Sequence, residues 1–252
     1  MNFFFPNNIF GRLIKNNLPA SLESSVDFRP SSLLTKSLNN TSGSVALIPT
    51  LDLINNRDIY VSRSFGISFE GALCNSFLYY GSGQKNLSRI NLNGDVSAVE
   101  VILCKILFKE LYNTEIEISI LSDDTGTPDK NVLTVGDKNF QTGVYSKGIS
   151  FAEEIVEALN LPYVNYLLAS NDKSLLEKVN VELEGVEGKI YDNLDENLKT
   201  EKLSEGGKNY IAENISTFIM DFDEQDIEGL EQIIRLPYYH GLINDIIEVK
   251  FV

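Results

Sequence analysis

Residues 30–52 read P-S-S-L-L-T-K-S-L-N-N-T-S-G-S-V-A-L-I-P-T-L-D. Pro30 ahead of Ser31 and Ser32 is a helix-start signal, and Leu33, Leu34 and Leu38 mark one apolar face. A polar Asn/Thr/Ser/Gly linker follows. Val45–Ile48 is then a short unbroken apolar run, which suits a strand buried on both faces of a parallel sheet. Pro49 stops that strand and Thr50 sets a hydroxyl at its carboxyl end, where open α/β sheets bind ligands. An ordinary strand-to-helix turn has the same residues, so the rest of the chain must decide.

Upstream, Asn2–Phe5 reads as a first strand ending at Pro6-Asn7-Asn8, followed by a helix to about Asn16 and a second strand at Ser25–Phe28. Downstream, strands are expected around Tyr60 and Ile67, and another over Gly71–Tyr80, closed by Gly81-Ser82-Gly83. A second unit follows: a strand at Ile90–Leu92, and Gly94-Asp95-Val96-Ser97 turning into a helix that buries Val99, Ile102, Leu103, Ile106 and Leu107. Strands are expected at Glu115–Leu121 and Val132–Val135, a helix at Phe151–Leu159 and a strand at Tyr163–Leu168. The rest reads as helical over Ser174–Asn193, Gly207–Phe218 and Gln225–Arg235, with a terminal strand in Ile246–Phe251. Alternating strands and helices favour an α/β architecture. With Gly71–Tyr80 and Tyr163–Leu168 as crossings, the expected division is residues 1–80 plus 169–252 in one lobe and 81–168 in the other. Loops of both lobes would then wall a cleft able to close on a small molecule.

The net charge of -15 speaks against a nucleic-acid partner, since phosphate neutralisation needs clustered Lys and Arg. From Asp172 onward there are 19 acidic and 8 basic residues, which places about -11 in the last third, as a solvated helical surface would. Cys74 and Cys104 sit in apolar surroundings and read as small buried thiols. The start M-N-F-F-F-P-N-N-I-F has neither a basic region nor a long apolar core, and no run is long enough to span a membrane. The expectation is a cytoplasmic protein without a membrane partner. His240 is the sole histidine, no Cys/His cluster has zinc spacing, and no Ser/His/Asp set falls around the cleft. Chemistry here would rest on positioning and electrostatics, not on a dedicated nucleophile or metal.

Four stretches carry a family resemblance: Pro30-Ser31 leading a helix, V-A-L-I-P-T at 45–50, L-T-V-G-D at 133–137 and S-F-A-E-E-I-V-E-A-L-N-L-P-Y-V at 150–164. Over roughly residues 1–170 the chain resembles the two-lobed type 2 solute-binding fold. More narrowly, it resembles the chorismate dehydratase family of menaquinone biosynthesis. That resemblance implies a cofactor-free lyase that removes water from chorismate to give 3-enolpyruvylbenzoate, with the substrate's own side-chain carboxylate as base. The partner implied is a small-molecule carboxylate, chorismate or an analogue.

The resemblance also implies site residues. An Asn after the first strand lines the substrate in the family, which makes Asn7 the catalytic candidate, with Asn8 beside it as the alternative register or a helix cap. Thr50 would donate to a carboxylate or cap the next turn. Asn75 and Ser76 lie where the family has a cleft-facing Ser, and alternation would turn only one of them inward. Ser97 stands at a helix start that favours an anion, or simply caps it. The family's run of Ser and Thr is replaced there by Ser97-Ala98-Val99-Glu100, and an inward Glu100 would weaken a dianion site. Asp137 ends a strand toward the cleft and either meets ligand, caps the following helix or fixes its loop. Arg63, Lys85 and Arg89 could add positive potential near the first crossing. Two functions follow: the lyase, or a non-catalytic solute-binding or sensing protein, including a diverged paralogue. Asn7 and V-A-L-I-P-T favour the first, and Glu100 the second.

Overall fold

The computed structural model describes residues 1–82, 87–121 and 130–252; Gly83 and Lys85 lie outside them. The chain opens with β1 (Asn2–Pro6), α1 (Ile9–Asn17), α2 (Ala20–Glu23), β2 (Val26–Arg29), α3 (Leu34–Asn40), β3 (Ser44–Pro49) and β4 (Tyr60–Phe69). A second unit holds β5 (Ser76–Tyr79), β6 (Arg89–Gly94), α4 (Ala98–Tyr112), β7 (Glu117–Ile120), β8 (Val132–Val135), α5 (Lys138–Gln141), β9 (Ile149–Ser150) and α6 (Phe151–Leu159). The chain returns through β10 (Tyr163–Ser170), α7 (Lys173–Leu183), α8 (Val186–Thr200), α9 (Glu205–Asn214), β11 (Phe218–Asp221), α10 (Glu224–Tyr239) and β12 (Lys250–Phe251).

Two sheets result, in a two-lobed α/β molecule. The first runs β11–β4–β10–β3–β1–β2, with β12 also on β4; the second runs β7–β6–β8–β5–β9. All six residues of β3 are buried, as an unbroken apolar run predicts. Its neighbours are β1, parallel, and β10, antiparallel, so the sheet is mixed rather than purely parallel. Pro30 is followed by a single 3-10 turn, Ser31–Leu33, before α3 begins. Leu34 and Leu38, one turn apart, face the core, whereas Leu33 is 44% exposed and does not share that face.

Several elements differ from expectation. Tyr163–Leu168 pairs with β3 and β4, so it belongs to the first sheet although the 81–168 boundary put it in the second lobe. An apolar run shows that a strand is buried, not which sheet buries it. The chain leaves the first sheet through residues 70–75 and comes back through α6 and residues 160–162. Strand β5 is only Ser76–Tyr79, and the strands expected around Tyr60 and Ile67 are one, β4. The helix expected over Ser174–Asn193 is two, broken where Gly185 takes φ +76°. Phe218 starts the short strand β11 on β4, and the terminal strand is only Lys250–Phe251.

The acidic last third packs mainly on the first lobe, with α8 on α1, α7 on β4, and α10 on β10. Helix α9 instead reaches the second: Tyr210 lies 4.5 Å from Tyr145 between ring centroids, beside Phe77 and Phe140, and its hydroxyl donates to Ala72 O at 2.9 Å. Cys74 and Cys104 are buried free thiols. Among the described residues, no helix is long and apolar enough to cross a membrane.

Candidate functional site

The carboxyl ends of β1, β2 and β3 in one sheet, and of β6 and β8 in the other, meet between the lobes. Each end leads into a polar loop and then a helix or turn: Asn7-Asn8, Ser31, Thr50, Asp95 to Ser97, and Gly136-Asp137. Carboxylates of the second lobe sit on backbone amides of the first. Ile9 N–H donates to Asp137 Oδ1 at 2.8 Å, and Ser31 gives its N–H to Asp95 Oδ1 at 2.8 Å and its hydroxyl to Oδ2 at 2.6 Å. Arg12 donates to Asp137 Oδ2 at 2.5 Å and to Glu201 Oε2 at 2.8 Å, so this cation is already shared by two carboxylates. A carboxylate at helix-start amides is charge-assisted and favoured by the dipole.

Behind these contacts lies a buried polar cluster. Asn8 caps α1 with its side-chain oxygen on Gly11 N–H at 3.0 Å, and it is 1% exposed. Ser97 caps α4, and Glu100 closes a capping box by accepting through Oε2 from Ser97 N–H and hydroxyl at 2.8 and 2.7 Å. Glu100 is 0% exposed. Asn75, 1% exposed, accepts through its side-chain oxygen from the Ser76 hydroxyl at 3.1 Å. The Tyr166 hydroxyl meets Ser31 Oγ at 2.6 Å, and Asn165 donates to the Tyr163 hydroxyl at 2.8 Å. Four atoms of this region, Asn8 Nδ2, Asn75 Nδ2, Glu100 Oε1 and Asn165 Oδ1, are buried without a hydrogen-bond partner among the described residues.

The electrostatics are those of an enclosed acidic site. Burial raises the Glu100 carboxyl, with Ser97 opposing and Asp95 adding to the rise. Burial also raises Asp95, against the hydrogen bonds from Ser31. The Tyr163 and Tyr166 hydroxyls are held well above their ordinary value, first by burial and then by the charge of Glu100.

Of the positions singled out from sequence, Asn8, Asn75, Ser76, Ser97 and Asp137 come together here. Asn7 is exposed, with its N–H on Arg29 O at 3.0 Å; the inward amide of the pair is Asn8. Thr50 is buried and gives its hydroxyl to Val164 O at 2.7 Å. Ser76 is buried in β5, and Asn75 precedes that strand, so alternation does not separate the two. Asp137 makes no cap to α5 and spans the lobes instead. Arg63 pairs with Glu224 and Arg89 with Glu117, both on exposed surface. Sequence reasoning missed Arg12, Asp95, Asn165 and Tyr166. The polar Asn165 inside the apolar run Y-V-N-Y-L-L was a signal for the last two. Among the described residues there is no group of His, Cys, Asp and Glu arranged to hold a metal. A concavity of about 270 Å³ lies away from this cluster among α4, α6 and α10, lined by Leu103, Leu107, Ile155 and Leu236, with His240 and Glu110 3.0 Å apart at its rim.

No protein-family model matches the chain, and no curated protein matches it. Solved structures do. Protein AF1704 from Archaeoglobus fulgidus is similar at a TM-score of 0.67 and 14% identity, over 96% of this chain and 98% of that one. The periplasmic aliphatic sulphonate binding protein SsuA from Escherichia coli is similar at 0.64 and 11%, over 99% and 95%. A ligand-binding component of an ABC-type import system from Staphylococcus aureus, with zinc bound, is similar at 0.62 and 11%, over 100% and 95%. At such identities the likeness is one of fold: a two-lobed, solute-binding-protein-like architecture.

Proposed function

We propose that this chain is a solute-binding protein whose lobes close over one small molecule at the interlobe polar cluster, and that it works by binding rather than by dehydrating its ligand. The observation that carries this reading is the seating of Asp95 and Asp137 on the amides of Ser31 and Ile9. Those amides are where a carboxylate ligand would be gripped, and the chain fills them with its own carboxylates. Glu100 adds a third inward carboxylate at the helix start where the resembling family has hydroxyls. Two like charges about 4 Å apart repel by roughly 4 kcal/mol at an effective dielectric near 20, so a dianion would meet a poor site. The sulphonate-binding protein and the import component sharing the fold support a binding role.

The lyase reading is the second one, favoured by the stretches at 45–50, 133–137 and 150–164. Incubating the purified protein with chorismate separates the two. We expect no loss of diene absorbance, no 3-enolpyruvylbenzoate by mass and no thermal shift. Turnover to that product would overturn the binding-only reading.

A further inference from the structure

We propose that the interlobe site takes a small zwitterion, its ammonium group against Glu100 and its oxygen-bearing end against the amides of Asn8 and Asn75. This rests on the solute-binding reading and adds the class of solute. Each of the three side chains is fixed through one atom and free at another. Glu100 Oε2 is held by Ser97, Asn8 Oδ1 by Gly11 N–H and Asn75 Oδ1 by the Ser76 hydroxyl. What is left over is one carboxylate oxygen and two NH2 groups, all buried and without partners among the described residues; Asn165 Oδ1 adds a further acceptor. Buried polar groups in folded proteins are paired, so unmatched donors and acceptors held rigidly in one place mark a missing partner.

These atoms belong to one region. The Tyr166 hydroxyl, bonded to Ser31, feels the charges of Glu100 and Asp95 and lies beside the Asn75 side chain. Asn75 O accepts from Gly136 N–H at 2.7 Å, and the next residue, Asp137, accepts from Ile9 N–H, adjacent to Asn8. The leftover set therefore spans both lobes. Its sign is also set: Asp95, Asp137 and Glu100 surround it, while Arg12 is committed to Asp137 and Glu201. An ammonium group satisfies the carboxylate oxygen and lowers that negative potential; a second acid would raise it. The two neutral amides suit a carboxylate or hydroxyl oxygen at the other end of the same molecule. Entry requires the lobes to part, because Ser31–Asp95 and Ile9–Asp137 close the way in.

The test uses the full chain and probe pairs that differ only by the amine: glycine with acetate, β-alanine with propionate, γ-aminobutyrate with butyrate. Thermal shift and calorimetry are the readouts. At least one amino member should bind, its amine-free partner being weaker by about tenfold or more. Glu100→Gln keeps the capping box, since Gln also accepts from the Ser97 N–H. It should weaken that probe by about tenfold or more while the free protein stays folded. Asn75→Ala, which leaves the helix caps alone, should weaken it as well. Equal binding of amine-free members, or undiminished binding by Glu100→Gln, would overturn the charge assignment and leave the solute-binding reading standing. Binding of none of the pairs, with a hit among simple sulphonates or neutral sugars, would do the same. No binding of any solute, water alone filling the cluster, would remove both.

Discussion

Glu100 shows how one side chain serves a helix and a site together. Its Oε2 closes the capping box that starts α4, and its Oε1 is left in a buried, acidic neighbourhood. The enclosure is felt nearby: the Cys104 thiol is pushed up to about 12, first by burial and then by the Glu100 charge. Because burial raises the Glu100 carboxyl, the folded protein keeps that proton to a higher pH than the unfolded chain does. Stability from this group is complete below the unfolded carboxyl range and is lost as pH rises through the raised folded value. Asp95 acts in the same direction. The wild type should therefore melt higher at about pH 5 than at about pH 7, and Glu100→Gln should flatten part of that slope. Relief of the net charge of -15 on acidification is nearly common to both proteins, so the difference between their melting curves isolates Glu100. Identical slopes would show that Glu100 is not the titrating group. At this scale the sequence was readable in part. S-A-V-E at 97–100 announced the cap but not that the Glu is sealed inward. Asn7 and Asn8 could not be told apart, because the extended backbone at Asn8 (φ -139°, ψ 175°) is what makes it the cap.

Gly94 matters for its whole element, because it ends β6 and turns the chain toward α4. It takes φ +92°, and a Cβ there would stand 1.9 Å from Val135 O of the adjacent strand. Both faults act together in Gly94→Ala, and backbone strain alone costs about 1–3 kcal/mol. The variant should show a clearly lowered urea midpoint, together with loss of the protected Ser97 amide that reports the α4 cap; an unchanged midpoint would mean that the β6–α4 turn relaxes freely. Elements with a strong local signature were legible. Val45–Ile48 is a fully buried strand, and F-A-E-E-I-V-E-A-L is α6, started by Ser150 and stopped by Asn160 at φ 54°. Elements set by partners were not. Strand β11, F-I-M-D, exists because β4 offers it an edge, and the long helical pattern after Asp172 gave no sign of how Gly185 would divide it. The course of β10 into the first sheet was hidden for the same reason: pairing is decided by which neighbour is free, not by the apolar run itself.

The lobes of the whole molecule are joined by contacts of different character. Near the chain crossings, α9 and its Tyr210 cluster form an apolar strap that ordinary breathing would leave intact. Across the mouth, the joins are ionic and directional: Asp137 on Ile9 and Arg12, and Asp95 on Ser31. Charged groups at helix starts are each worth about 0.3–1 kcal/mol, or near 2 when partly buried, so removing both should shift an open-to-closed ratio by a factor on the order of ten or more. The strap would then act as the hinge and the mouth would open. The double variant Asp95→Ala with Asp137→Ala is expected to show a larger radius of gyration by X-ray scattering. It should also show faster amide exchange around Ile9 and Ser31, with exchange in β3 and β8 unchanged because each lobe keeps its own sheet. A ligand bound at the cluster should restore the smaller radius if it bridges Glu100 to Asn8. Unchanged radius and exchange in the double variant would mean that α9 and α10 alone hold the lobes together. The carboxylates would then be fillers of the anion positions rather than a latch on the cleft.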